Sequence, residues 1–90
     1  MYAALVTVTI DPARMEEAQG SLETQVIPMV SASPGFIAGY WLTPVDGKAP
    51  AMVLFETEEQ ARQAAPPVGV SPIAGVTVDS AEFREVAASA

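Results

Sequence analysis

The chain has 90 residues, half of them apolar and 17% charged, with a formal net charge of -7 at pH 7, the content of one small domain spanning residues 1–90. It contains no Cys, His or Asn, which excludes disulfides, thiolate or imidazole metal sites, a thiol nucleophile and the usual general base near neutral pH. Its basic residues, Arg14, Lys48, Arg62 and Arg84, stand one by one along the chain, so nucleic acid is not an expected partner, and no run of ~20 apolar residues is present to cross a membrane.

Residues 2–10 alternate, with Tyr2, Ala4, Val6, Val8 and Ile10 on one face and Ala3, Leu5, Thr7 and Thr9 on the other, which predicts a first strand. This apolar opening lacks a basic start and a small-residue cleavage site, so it does not read as a signal peptide, and a cytoplasmic location is expected. Asp11 can cap a helix whose first position, Pro12, needs no backbone donor. From there Met15, Ala18, Leu22, Val26, Met29 and Val30 recur at spacings that predict one buried stripe, with Pro28 kinking or ending the helix near Ile27. Ser33-Pro34-Gly35 is a turn, and residues 36–43 predict a second strand with Phe36, Tyr40 and Leu42 on one face and Ile37 and Trp41 on the other.

Residues 44–50 reverse the chain through a loop longer than the tight two-residue type, and residues 51–55 predict a third strand, apolar on both faces. Thr57 and Gln60 have the spacing of a capping box and begin a short second helix that Pro66-Pro67 stops. Residues 68–75 form a loop. A last strand over 75–86 changes parity between Val78 and Phe83, which a bulge near Asp79 and Ser80 explains.

The order strand, helix, strand, strand, helix, strand is that of an α+β ferredoxin-like βαββαβ domain, a four-stranded antiparallel sheet with both helices on one face. Two helices cover one face only, yet the strands are apolar on both. A homodimer that packs the two open sheet faces together, forming a dimeric α/β barrel, is the expected solution.

The segments Ser33-Pro-Gly-Phe-Ile-Ala-Gly-Tyr-Trp-Leu42, Val53-Leu-Phe-Glu-Thr-Glu-Glu-Gln-Ala61 and Phe83-Arg-Glu-Val86 resemble the dimeric α/β barrel superfamily, particularly its antibiotic biosynthesis monooxygenase-like group, over nearly the whole chain. The resemblance implies that fold and a spread of activities that includes cofactor-free quinone-forming oxygenases, haem-degrading enzymes and isomerases. Haem-degrading members use a histidine on the iron and an asparagine in the first strand, where the position that looks equivalent here is Thr7. Quinone-forming members are similar in relying on an asparagine and an aromatic with an arginine, for which Trp41 or Tyr40 and Arg84 stand here. With His and Asn absent, neither set is complete, and no cofactor is expected.

Tyr40 and Trp41 are neighbours on a strand, so one must face the helices and the other the partner subunit. Whichever lines a cavity can stack on a flat ligand; a core or interface position accounts for the same residues. Thr7 and Thr9 can offer hydroxyls to a ligand, though threonine suits strands in any case. Arg84 between Glu82 and Glu85 either clamps an anion or forms a surface pair. Glu56, Glu58 and Glu59 near Asp46 would suit only a hard cation, and acids at a helix start complement its dipole, so no metal is expected. The loop 66–72 is either a lid or a connector.

Three readings follow. The first is a homodimer binding a small hydrophobic or aromatic molecule between helices and sheet, with Thr7, Tyr40, Trp41 and Arg84 as ligand-binding candidates and no identified catalytic group. The second is a cofactor-independent monooxygenase acting on a phenolic or quinone-type substrate, with Tyr40, Glu56 or a desolvated carboxylate as base. The third is a dimerisation module without ligand.

Overall fold

The computed structural model of the chain describes residues 1–71 and 73–90. Strand β1 (Tyr2–Ile10) lies inside a sheet completed by β2 (Phe36–Trp41), β3 (Lys48–Phe55) and β4 (Val76–Glu85) in the order β2-β3-β1-β4. All three neighbouring pairs are antiparallel. The helical passage after β1 runs through a 3-10 turn (Pro12–Arg14), α1 (Met15–Ser21), a π turn (Leu22–Val26) and α2 (Ile27–Ser31), and a separate α3 (Glu58–Ala64) follows β3. This is the α+β ferredoxin-like arrangement expected from the sequence. Among the described residues no helix is long and apolar enough to cross a membrane.

Local chemistry accounts for the boundaries. The Asp11 carboxylate accepts from the Ala13 amide at 3.0 Å, and Pro12 follows at the first helical position. Thr57 and Gln60 close the expected capping box: the Gln60 amide donates to the Thr57 hydroxyl at 3.2 Å and the Thr57 amide to the Gln60 side chain at 3.1 Å. Pro28 neither ends nor sharply breaks the helix. It has no N–H to give to a carbonyl four residues back, and the turn before it widens, so that the Ile27 amide donates to Leu22 five residues earlier.

Two strands differ from expectation in extent. β3 begins at Lys48 rather than after Pro50, because residues 48–50 pair with Thr7, Val8 and Thr9 of β1. The Pro50 carbonyl accepts from the Leu42 amide at 3.0 Å, so its nitrogen turns to the same edge, just beyond the end of β2, where a missing donor leaves no ladder bond unmade. The connection from β2 to β3 is long as expected, but its tip is a two-residue turn: Val45 and Lys48 exchange backbone bonds of 2.9 and 3.0 Å across Asp46 and Gly47, whose φ values of 53° and 76° suit the primed hairpin type.

Two bulges set which side chains share a face. In β4 the register passes from Val8 opposite Val78 to Thr7 opposite Ser80, leaving Asp79 as the extra residue, where the parity change placed it. In β2 the register passes from Phe36 opposite Phe55 to Ala38 opposite Leu54, with Ile37 extra. The expected grouping of Phe36 with Tyr40 therefore fails. Phe36 joins Trp41 on the helix side, its ring 6.2 Å from that of Phe55 in an edge-to-face arrangement, while Tyr40 is 53% exposed on the opposite face.

The core under the helices is divided. One cluster, Ala4, Val53, Phe55 and Ala61, lies beneath α3, and Val30 of α2, Phe36, Trp41 and Phe83 pack on it. The other, Ile10, Ala18, Ala49 and Val76, lies beneath α1 with Met15 and Ile73 at its side. No residue of the intervening π turn is buried. The expected stripe thus covers the sheet incompletely: Ala18 is buried, Met15, Leu22, Val26 and Val30 are half-buried, and Met29 is exposed.

Candidate functional site

The space between the two core clusters is a cleft of about 790 Å³ running between the helical passage and the helix-facing side of the sheet. Its floor is the even-numbered face of β1, Ala4, Val6, Val8 and Ile10, continued by Ala49, Ala51 and Val53 of β3. These floor residues are small or β-branched because alternation in two neighbouring strands gives one continuous apolar surface. The roof is Met15, Ala18, Leu22, Val26, Ile27 and Val30, side chains that line the space instead of filling it. Pro66 and Ile73 close one side and Trp41, Leu42, Thr43 and Pro44 another. Polar groups are few: Gln19 and Glu23 on the helical passage and Thr43 beside Trp41. A predominantly apolar cleft of this volume falls within the range of small-molecule sites.

Trp41 holds its place because Gly39 has no side chain. A Cβ built on Gly39 would lie 2.7 Å from the Cη2 and Cζ3 atoms of the indole, so the ring rests directly on the glycine. Gly39→Val should therefore push the indole off its seat. As Trp41 is the only tryptophan, the displacement is read as a shift of emission to longer wavelength with far-UV circular dichroism unchanged; an unaltered emission spectrum would contradict the seating.

The four residues singled out from the sequence do not converge. Trp41 alone lines the cleft. Thr7 and Tyr40 lie on the opposite face of the sheet, where with Leu5, Leu42 and Met52 they border a shallow apolar depression of about 420 Å³. Arg84 is opposite Ala3 on that same outer face, its guanidinium 3.7 Å from Glu82, in the surface pair rather than a clamp over the cleft. The position that the family likeness set against a first-strand asparagine, Thr7, thus points away from the cleft, and the cleft-facing neighbours Val6 and Val8 carry no polar group. The proposed base Glu56 is exposed and outside the cleft lining. Pro72, part of the expected lid, lies outside the described residues; Pro66 borders the cleft.

Sequence reasoning missed the small-residue floor and the π turn. Pro28 was the available signal for the turn, since a proline late in an otherwise unbroken stripe requires the preceding turn to lose or reroute a bond.

The charged groups are arranged elsewhere. At one end of the outer face the Lys48 ammonium donates to the Thr9 hydroxyl at 2.9 Å and to the Asp79 carboxylate at 3.2 Å. Hydrogen bonds from Thr9, first, and from Lys48 hold the Asp79 carboxyl below its ordinary range. Among the described residues no group of three carboxylates is placed to hold a metal ion; Glu58 instead pairs with Arg62 at 3.4 Å.

No family profile matches the chain, and no curated protein matches it. Solved structures do. The haem-degrader MhuD from Mycobacterium tuberculosis, with two haems bound in its active site, superposes with a TM-score of 0.68 at 20% identity, over 100% of this chain and 99% of that one. A mutant of MhuD with two manganese protoporphyrin IX molecules bound per active site gives a TM-score of 0.67 at 16% identity, over 100% and 98%. The likeness to the dimeric α/β barrel proteins read from the sequence therefore holds at the level of fold, over the whole chain.

Proposed function

We propose that this chain binds a flat, largely apolar small molecule in the cleft between its helices and sheet, as a homodimer whose outer sheet faces pack together. The observation that carries the first part is the cleft itself, with an indole at one wall and a floor of alanine and valine that leaves a planar ligand room to lie against the sheet. Supporting the second is the outer face, where the row Tyr40, Met52, Leu5 is apolar and Tyr40 and Leu42 are 53% and 55% exposed.

Both solved neighbours hold porphyrins in their active sites, so a tetrapyrrole is the natural comparison. The cleft residues of this chain do not fit a haem iron. Neither an imidazole, a thiolate nor a phenolate is among them, and the donors present are the Met15 and Met29 thioethers, the Thr43 hydroxyl, the Gln19 amide and the Glu23 carboxylate. Thioethers serve haem iron in the company of histidine, which this sequence lacks. Binding without haem turnover is therefore the reading that the side chains support. A phenolic oxygenase finds less support, since among the described residues the one ionisable group on the cleft lining is the exposed Glu23.

The test uses the single tryptophan as the reporter. Titration with 1-pyrenemethanol, flat and uncharged, should quench Trp41 emission saturably at micromolar concentration, the range typical of unoptimised apolar sites. Gly39→Val should weaken that quenching, because the displaced indole occupies the space the ring would take. Linear, unsaturable quenching would count against the cleft as a site.

A further inference from the structure

Among the described residues the cleft lining carries one formal charge, and it is negative: Glu23 on the π turn, with no Lys or Arg lining the same space. The whole chain has only four basic residues, and each stands beside an acid outside the cleft. Arg14 meets Glu17 at 3.1 Å, Lys48 meets Asp79 at 3.2 Å on the outer face, and Arg84 meets Glu82 at 3.7 Å on that face too. Arg62 meets Glu58 at 3.4 Å and lies over the Phe83 ring at 4.5 Å. An anionic ligand would thus enter an apolar space with no counter-charge, past a carboxylate, into a chain of net charge -7. A ligand that gives a proton or a positive charge to Glu23 meets the opposite situation.

We infer that the cleft selects a planar molecule free of anionic groups, whose polar end donates a hydrogen bond or presents a cation to Glu23. This rests on the reading of the cleft as a binding site. It also separates the chain from its solved neighbours, whose bound ligands include protoporphyrin IX, a porphyrin with two carboxylate side chains.

A matched series separates charge from shape: 1-pyrenemethylamine, 1-pyrenemethanol and 1-pyrenecarboxylate share one ring system and differ at the polar end. Trp41 quenching should rank the amine first, the alcohol close behind, and the carboxylate about tenfold or more weaker, the scale of one incompletely screened charge. Glu23→Gln should remove the amine's advantage over the alcohol, and Glu23→Lys should bring the carboxylate level with them. Because Glu23 is exposed, neither change threatens folding, and far-UV circular dichroism checks it. Equal affinity for all three probes, or a ranking that both variants leave intact, would overturn the selection while sparing the site. Failure of all three to quench would remove the site, and the selection with it.

Discussion

Met52→Glu is expected to turn a particle of about twice 9.4 kDa into one of 9.4 kDa by light scattering, with secondary structure retained. Met52 lies in the middle of the apolar row on the outer sheet face, directly between Tyr40 of β2 and Leu5 of β1, and is 37% exposed in the single chain. A two-fold interface repeats every substitution, so the variant would bury two carboxylates without partners in the same small area. Each unpaired buried charge costs several kcal/mol, more than a rim contact contributes, so the equilibrium should move to the monomer at micromolar concentration. Thr7→Glu, on the same face opposite Pro50 and Ser80, should act in the same direction. A wild-type chain that scatters as 9.4 kDa under these conditions would contradict the homodimer.

Phe55→Ala should cost about 3–5 kcal/mol, read from the urea midpoint at constant protein concentration. Phe55 is 1% exposed, the largest of the fully buried side chains, and joins β3 to β2 through the edge of Phe36 and to α3 through Ala61. In a domain with a total of about 5–15 kcal/mol, that loss removes a large part of the folded population. A loss below about 1 kcal/mol would show that stability is not concentrated there.

Much of this architecture was legible in the chain. Alternation through Tyr2 to Ile10 fixed β1 and its two faces, the Thr57 and Gln60 spacing located α3, and the switch in parity after Val78 located the bulge at Asp79. Each of these signals is local, a period or a side chain bonding to its own backbone, and needs no knowledge of distant residues. The bulge at Ile37 left no such mark, because Phe36, Ile37, Tyr40, Trp41 and Leu42 are all large and apolar, and a one-residue slip among them changes the faces without changing the pattern. It is this slip that sets Trp41 with Phe36 on the helix side and Tyr40 on the other.

The candidate site was legible only in part for a related reason. Residue type suggested Thr7, Tyr40, Trp41 and Arg84, each able to hydrogen bond or stack, but three of these stand on the outer face. The cleft itself is made by residues with no chemistry to advertise, Ala4, Val6, Ala49 and Ala51, and by a helical passage whose π turn buries no residue against the sheet. An apolar stripe in a sequence reports that a helix faces the interior; it does not report how close the helix comes. That distance decides between a filled core and a space for a ligand.

The most direct check of the cleft as a binding site is a proton–nitrogen correlation spectrum of the labelled chain titrated with 1-pyrenemethanol. Amides of Val6, Ala51, Leu22 and Val26 and the indole N–H of Trp41 should shift together and saturate at one stoichiometry. Shifts confined to Thr7, Tyr40 and Met52 on the outer face would contradict the account.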